Sequence, residues 1–264
     1  MKKSKETINN TINNTINNTI SNTSNECEKE NREIIVRDHA KDFLLDILPK
    51  DRGILKELRD YGEEHHVPIV EEEVAALIKV LTRTSGAKNV LEIGTAIGYS
   101  GCIFLEAMGE GGKLTTIERN EEMLRLAGEN FRKAGRENSV RILPGDALEI
   151  LHYLKGDYDL IFLDGAKGHY REMLDLTISL LKPGGLLISD NILFKGMVTG
   201  EHPVKRRKRT IVNRMRDYLK YICDHPLLDT SIIPIGDGVA LSYRKNEVEQ
   251  KGLSERIEKK EDSE

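Results

Sequence analysis

Two acidic side chains stand directly after apolar segments in the second half of the sequence. Asp164 follows the run LIFL (160–163), and Asp190 with Asn191 closes the segment 184–191. Such apolar runs predict buried strands, and parallel strands bring their carboxyl ends to one edge of a sheet. Two carboxylates and an amide oxygen meeting at that edge would suit Mg²⁺, which prefers oxygen ligands. The alternative is structural, with Asp190 capping a loop and the nearby glycines forming turns.

A lysine, Lys167, follows Asp164 after three residues. It is either an ordinary solvated lysine or a positively charged group beside the metal. The residue types alone leave both interpretations open.

A glycine-containing turn follows the first predicted strand. In VLEIGTAIGYSG (90–101), Gly94 and Gly98 would let the backbone approach a ligand closely, and the following helix start offers free amides. The spacing is not G-x-G-x-x-G and no P-loop lysine follows, which disfavours a phosphate ligand. Glu92, near the strand end, suits a ligand that carries positive charge. A tight strand-to-helix turn without a ligand is the alternative.

Two further acids end the next two predicted strands. Glu118 is the last residue of LTTIE. In parallel α/β sheets, an acid at the end of the second strand binds ribose hydroxyls. Asp146 and Ala147 follow the third strand, at a position where they could contact the amine of an adenine. Each acid has a structural alternative, Glu118 as a surface residue and Asp146 as a helix N-cap.

The elements that must position these residues alternate along the chain. Helices are predicted over about 38–48, 51–65 and 71–84, and the last has Val74, Leu77, Ile78 and Leu81 on one face. Strands are predicted over 89–94, 113–118, 140–146, 158–164 and 184–191, each followed by a helix. Two final apolar runs flank Gly236-Asp237-Gly238, which indicates a hairpin. The pattern predicts a mostly parallel α/β sheet, covered by helices on both faces and closed by an antiparallel hairpin.

A basic run precedes the last predicted helix. It comprises Lys205, Arg206, Arg207, Lys208 and Arg209. On that helix, Arg209, Asn213 and Arg216 share one face. The run is either a solvated helix start or a contact for nucleic-acid phosphates.

The composition of the chain limits the classes of protein to which it can belong. The chain has 264 residues, 38% of them hydrophobic, and a formal net charge of −4, so a nucleic acid would have to bind a local patch. No apolar run approaches the ~20 residues of a membrane span, and no signal segment is recognised. Three dispersed cysteines fit a reducing compartment, so a cytoplasmic protein without membrane association is expected. We predict a disordered Asn/Thr-rich tail over residues 1–33 and a charged tail over 247–264.

Several motifs, taken in order, resemble one enzyme family. VLEIGTAIGYS, TIERN, GDALE, FLDGAKG and SDNILFKG resemble the metal-dependent, S-adenosylmethionine-using O-methyltransferases of the catechol and caffeoyl-CoA type, over about residues 38–244. EEHHVPIV, NILFKG, KRRKR and IIPIGDGVALS are most similar to the bacterial branch that methylates 5-hydroxyuridine at the tRNA wobble position. The resemblance implies a Rossmann-like class I methyltransferase domain over 34–246. Its seven-stranded, mostly parallel sheet would carry a C-terminal antiparallel hairpin and N-terminal accessory helices.

The resemblance also implies ligands and residue roles. S-adenosylmethionine would contact Val70, Glu92, Ser100, Glu118, Asp146, Ala147 and Asp164. Mg²⁺ or Mn²⁺ would be held by Asp164, Asp190 and Asn191. Lys167 would lie beside the acceptor oxygen, as a base or as a positive charge, and a homodimer is expected. Gly165-Ala166 depart from the catechol enzymes, which carry bulkier groups there, and this disfavours a catechol-sized pocket.

Three functions follow in order of preference. The first is methylation of 5-hydroxyuridine in the tRNA anticodon region, with the basic run on the RNA backbone. The second keeps the chemistry but uses a small catechol-like acceptor, which the basic run and the sparse aromatic residues disfavour. The third is a nicotinamide-dependent oxidoreductase or a binding module without catalysis, which the missing third glycine and the terminal hairpin disfavour.

Overall fold

The computed structural model describes residues 38–200, 204 and 206–246. The chain divides into two compact units, residues 1–46 and 47–264. Of the first unit, the described part lies in helix α1 (Asp38–Ile47), as predicted for 38–48. The predicted tails over 1–33 and 247–264 lie outside the described residues.

The second unit begins with two helices, α2 (Ile54–Glu64) and α3 (Glu72–Thr84). On α3 the predicted apolar face is directed inward: Val74 and Ile78 are buried, and Leu77 and Leu81 pack against the core. The dipole of α3 interacts favourably with charges at both ends of the helix: Glu72 and Glu73 in the first turn and Arg83 in the last.

Strands and helices then alternate as the sequence predicts. The elements are β1 (Asn89–Ile93), α4 (Tyr99–Met108), β2 (Lys113–Glu118), α5 (Glu121–Lys133), β3 (Val140–Pro144), α6 (Ala147–Tyr153), β4 (Tyr158–Leu163), α7 (Tyr170–Thr177), β5 (Leu181–Ser189), α8 (Arg209–Cys223), β6 (Leu228–Ile233) and β7 (Val239–Arg244). Short 3₁₀ turns cover Glu137–Ser139, Lys167–His169 and Arg206–Lys208. The fifth strand begins earlier than predicted, with Lys182 to Gly184 exposed, and its pairing with β4 is irregular there.

The seven strands form one sheet in the order β3-β2-β1-β4-β5-β7-β6. The first five are parallel, whereas β7 pairs antiparallel with both β5 and β6. The hairpin turn at Gly236-Asp237-Gly238 places both glycines at positive φ, 56° and 83°. The predicted fold class is therefore confirmed, including the antiparallel hairpin that closes the sheet.

The core lies on both faces of the sheet because successive strand residues point to opposite sides. On β4, Leu160 and Phe162 pack with the α2–α5 side, whereas Ile161 and Leu163 pack with the α7–α8 side. All four side chains are fully buried. The apolar run LIFL therefore reflects a central strand covered on both faces.

The strand register determines where the acids emerge. Leu163 at the end of β4 pairs with Ser189 of β5. The next residue of each strand is an aspartate, and the Asp190 amide donates to the Leu163 carbonyl at 2.9 Å. Likewise the Asp164 amide donates to the Ile93 carbonyl of β1 at 2.9 Å. Asp164 and Asp190 therefore leave the sheet side by side.

Candidate active site

A cavity of about 740 Å³ opens at the carboxyl edge of the parallel strands. Its walls come from the segments after β1 to β5, the residues before α3 and the β6–β7 turn. The predicted site residues that line it are Glu118, Asp146, Ala147, Asp164, Lys167 and Asn191.

Four other residues predicted to bind the methyl donor or the metal are not among those that line this cavity. Val70 is buried between two lining residues, Ile69 and Glu71. Asp190 is buried behind Asn191, while Glu92 and Ser100 are buried together beneath the glycine turn. Their predicted contacts with a ligand stay predictions.

Glu92 is bound by hydroxyl groups. Ser100 Oγ donates to its Oε1 at 2.5 Å, and Thr116 Oγ1 donates to its Oε2 at 2.6 Å. Thr116 in turn lies 2.6 Å from the hydroxyl of Thr95 in the glycine turn. Burial raises the pKa of Glu92 to about 7, against the two hydroxyl donors. The carboxyl group therefore connects β1, β2, the glycine turn and the start of α4.

Glu118 closes β2 and organises the adjoining backbone. Its Oε1 accepts from the amides of Arg119 and Asn120, each at 2.9 Å. Its Oε2 accepts from the amide of Ala96 in the glycine turn, at 3.1 Å. Glu118 therefore joins two loops at the cavity wall and is more than an isolated surface acid.

Asp146 has the structural role that the sequence offered, while its predicted contact with an adenine amine stays a prediction. Its Oδ1 accepts from the Leu148 amide at 2.9 Å, so it is the N-cap of α6. It also lines the cavity beside Ala147, the first residue of that helix.

The predicted metal ligands converge at the ends of β4 and β5. Asp190 Oδ1 accepts from the Asn191 amide at 2.6 Å. Its Oδ2 is buried without a hydrogen-bond partner among the described residues. Burial and the neighbouring carboxylate of Asp164 raise the pKa of Asp190 to about 7, and burial likewise raises the pKa of Asp164.

An unpaired buried carboxylate oxygen is costly, and a cation is the partner that would offset this cost. Within the described ranges, no three His, Cys, Asp or Glu side chains form a metal-binding group. Asp164, Asp190 and Asn191 instead provide two carboxylates and one amide oxygen. These oxygen atoms suit a hard divalent cation.

Lys167 is engaged at this site. Its Nζ donates to Asn191 Oδ1 at 2.7 Å, and the side chain is partly buried at the cavity wall. Lys167 is therefore hydrogen-bonded and not simply solvated, and its role as a positive charge beside a metal stays a prediction.

The described part of the basic run approaches the cavity wall at Lys208. Arg206, Arg207 and Arg209 are exposed, and Lys205 lies outside the described residues. Lys208 Nζ lies 5.5 Å from the ring centroid of Phe194, a residue of the cavity wall. The predicted face of α8 is only partly free, because Arg216 Nε donates to the Val198 carbonyl at 2.8 Å.

Sequence reasoning missed several residues of the cavity wall, including Phe194, Lys195 and Asp237. Asp237 was recognised only as the centre of a hairpin turn. Its turn motif was visible in the sequence, but its place at the cavity depends on β7 pairing with β5. No helix of the described residues is long and apolar enough to cross a membrane.

Comparisons with known proteins agree with this geometry. A family model described as O-methyltransferase matches residues 46–245. Caffeoyl-CoA O-methyltransferase 2 of Populus trichocarpa is 29% identical over 231 residues, 82% of this chain and 93% of that protein.

Two solved structures illustrate the similarity of fold. A Staphylococcus aureus protein provisionally assigned as a caffeoyl-CoA O-methyltransferase has 38% identity and a TM-score of 0.73, over 78% of this chain and 100% of that one. The O-methyltransferase TomG of Streptomyces achromogenes, solved with S-adenosylmethionine, has 25% identity and a TM-score of 0.68, over 77% of this chain and 95% of that one. The sheet order, the cavity at its carboxyl edge and the family match lead to one conclusion: this chain belongs to the O-methyltransferase family.

Proposed function

We propose that this protein transfers the methyl group of S-adenosylmethionine to 5-hydroxyuridine at the tRNA wobble position, assisted by a divalent metal ion. The observation that carries the chemistry is the buried, unpartnered Oδ2 of Asp190 beside Asp164 and Asn191. Two carboxyl groups and an amide oxygen, with one carboxylate oxygen left without a hydrogen-bond donor, are suited to bind a divalent cation near an acceptor oxygen.

The methyl donor fits the β1–β3 side of the cavity. Glu118 and Asp146 present carboxylates there, at the ends of β2 and β3, where nucleoside hydroxyls and amines are bound in this architecture. The related TomG is known with S-adenosylmethionine bound. We infer that the adenosine part of the donor lies along this side.

Asp164, Asp190 and Asn191 would hold Mg²⁺ or Mn²⁺. When bound, such an ion lowers the pKa of a hydroxyl group near it. Lys167 adds positive potential at the same wall, where a deprotonated acceptor oxygen is stabilised. In the reaction the acceptor O–CH₃ bond forms as the CH₃–S bond breaks, the sulfonium becomes a neutral thioether, and the acceptor proton is released. The protein contributes mainly by aligning oxygen, methyl carbon and sulfur.

The basic run supports RNA as the acceptor. Arg206, Arg207 and Arg209 are exposed, and Lys208 packs on Phe194 at the cavity wall. With a formal net charge of −4 for the whole chain, a local cluster is needed to bind phosphates. Its position beside the cavity would let the backbone of a tRNA loop bind while one base enters.

The decisive experiment is mass analysis of tRNA nucleosides from cells that lack the gene. The expected result is loss of a 5-methoxyuridine-type nucleoside, restored by the wild-type gene and not by Asp190→Ala. In vitro, purified protein should methylate hydroxyuridine-containing tRNA, and Arg206→Ala with Arg207→Ala should weaken tRNA binding with a shallower salt dependence. Full activity in the presence of a metal chelator would contradict the metal-assisted mechanism.

A small catechol-like acceptor is the second candidate. It is favoured by the Populus relative, which is a caffeoyl-CoA O-methyltransferase by name, and by a cavity volume suited to a small molecule. Activity on a catechol or a caffeoyl thioester, with none on deproteinised bulk tRNA, would decide for it. Membership of the O-methyltransferase family leaves the third alternative, an oxidoreductase or non-catalytic module, without support.

A further inference from the structure

We infer that Asp237, in the β6–β7 turn, is a positioning residue for methyl transfer: it holds residues 191–195 in a strained conformation and thereby orients Asn191. The inference rests on the proposed function, because it takes Asn191 as a ligand of the metal. Nothing in the motifs or the family match assigns Asp237 a role.

The segment after β5 contains unusual backbone. Asn191, Phe194 and Lys195 have φ of 54°, 49° and 55°. Side chains with a Cβ are disfavoured at left-handed φ by roughly 1–2 kcal/mol each. Asparagine tolerates this region, but phenylalanine and lysine do so poorly. Three such residues within five positions persist only where surrounding contacts over-determine the conformation.

The turn supplies those contacts. The Ile192 amide donates to the Gly238 carbonyl at 3.0 Å, and the Leu193 amide donates to the Asp237 carbonyl at 2.9 Å. The Lys195 amide donates to Asp237 Oδ1 at 2.5 Å. Only this last bond depends on a side chain, and it binds one of the left-handed residues directly.

The turn is itself firmly supported. A Cβ on Gly238 would lie 2.4 Å from Leu193 Cγ, so the backbone of the turn packs directly against the Leu193 side chain. A Cβ on Gly236 would lie 2.7 Å from Val74 Cγ2 on α3. Since both glycines also have positive φ, substitution at either would alter the whole turn. Asp237 is therefore the position at which the contact can be removed without changing a glycine. Its carboxylate also interacts with the charges of Lys167 and Glu71, so the asparagine variant is needed to separate the hydrogen bond from the charge.

The conformation of residues 191–195 affects the proposed metal ligand Asn191 directly, because Asn191 belongs to this segment. Asn191 is the first left-handed residue of the segment, and its Oδ1 accepts from Lys167 Nζ at 2.7 Å. If the Asp237 contact is lost, Lys195 and Phe194 can relax toward ordinary φ, and the direction of the Asn191 side chain changes with them. We expect metal affinity and turnover to fall, while S-adenosylmethionine, held on the β1–β3 side, binds as before.

The test compares Asp237→Ala with Asp237→Asn, whose amide oxygen can still accept from the Lys195 amide. The control is Asp229→Ala, in the same hairpin, where an exposed carboxylate pairs with Lys245 at 3.0 Å. Three quantities are measured: Mn²⁺ binding by electron paramagnetic resonance without acceptor, S-adenosylmethionine binding by calorimetry, and hydrogen exchange of amides 192–195.

For Asp237→Ala we expect Mn²⁺ affinity and kcat to fall roughly tenfold, the range for lost outer partners of metal ligands. Exchange at amides 192–195 should become faster, and S-adenosylmethionine affinity should stay within about twofold, since distant sites act independently. Asp237→Asn should restore most of the loss, and Asp229→Ala should match wild type. Should Asp237→Ala fail to fold, Asp237→Glu serves instead, because its extra methylene displaces the carboxylate while keeping the charge.

Wild-type Mn²⁺ affinity and exchange rates in Asp237→Ala would overturn the inference. So would a parallel loss of S-adenosylmethionine affinity, because that indicates general disruption of the domain. A wild-type protein that binds no Mn²⁺ would instead overturn the metal-assisted function. In that case the exchange measurement still reports whether Asp237 holds the segment.

Discussion

The carboxyl groups on the two sides of the candidate site differ in how completely they are hydrogen-bonded. On the β1–β3 side, Glu92, Glu118 and Asp146 all accept hydrogen bonds from hydroxyls or backbone amides. On the β4–β5 side, Asp190 is buried with one oxygen unpartnered among the described residues. Both sides lie at the same edge of one sheet, so the difference comes from local partners and not from the fold.

This difference indicates two modes of ligand binding. The β1–β3 side is already complete, as expected for a wall that binds a neutral or positively charged nucleoside by shape and hydrogen bonds. The β4–β5 side has one positive charge, that of Lys167, for two carboxyl groups, and one buried carboxylate oxygen there has no hydrogen-bond partner among the described residues, as expected where a cation is to be bound. A substitution on one side should therefore leave ligand binding on the other side unchanged.

The largest effect is expected on the β4–β5 side. Asp190→Ala should reduce methyl transfer by about 10³-fold, because under the proposed function it removes a ligand of the metal ion that would lower the pKa of the acceptor hydroxyl. Initial rates with saturating donor measure this. Calorimetry should find S-adenosylmethionine binding unchanged, and Asp217→Ala, at an exposed acid of α8, should retain full activity. Comparable activity of Asp190→Ala and wild type would show that the unpartnered carboxylate is not part of the reaction.

The next effect is the part of the pH dependence of stability that Glu92 contributes on the β1–β3 side, in addition to the part from Asp164 and Asp190, whose pKa values are also raised. The pKa of Glu92 is raised from 4.5 to about 7 in the folded protein. The folded state therefore holds a proton that the unfolded state has released between these pH values, so stability falls as pH rises from about 4.5 to 7 and is level above. The contribution is on the order of 3 kcal/mol.

Urea unfolding of wild type and Glu92→Gln across that range measures the contribution of Glu92. The difference between the two proteins should change with pH in this direction. Parallel profiles would mean that Glu92 stays ionised in the fold.

A smaller effect is expected on the affinity of the β1–β3 side for S-adenosylmethionine. Glu118→Ala removes a charged acceptor from the β1–β3 wall and should weaken S-adenosylmethionine binding about tenfold, in line with a hydrogen bond to a charged group. Mn²⁺ binding, measured on the same preparation, should not change. If the affinities for S-adenosylmethionine and Mn²⁺ fell together, the two sides would not bind their ligands independently.

The smallest effect concerns the cap of α6. Asp146→Ala should lower the free energy of unfolding by about 1 kcal/mol, whereas Asp146→Asn should retain the cap. The informative measurement is donor affinity in the Asn variant. A loss there shows that the carboxylate also contacts the ligand, and wild-type affinity shows that Asp146 is only a cap.

Much of the fold was predictable because its signals are local. The apolar run of β4, the face of α3 and the glycines of the β6–β7 turn each specify an element from neighbouring residues. The acids were predictable for the same reason, because each stands directly after a strand or at its end. Element bounds were less certain, as at β5, where the exposed Lys182 to Gly184 precede the apolar part.

The partners of these acids were not predictable. Ser100 and Thr116 satisfy Glu92 from two different elements, and nothing in their local sequence indicates it. The same holds for Asp237, whose position at the cavity follows from β7 pairing with β5. The predicted roles of Val70 and Ser100 as ligand contacts stay predictions, because both are buried outside the cavity wall.

The sequence by itself determined the order of strands and helices, the closing hairpin, and which acids stand at strand ends. These features depend on periodicity and turn chemistry over a few residues. Only the tertiary structure decided that Leu163 pairs with Ser189, so that Asp164 and Asp190 emerge together, and that one oxygen of Asp190 is buried without a partner. The physical reason is that strand register and burial depend on the packing of residues far apart in the chain.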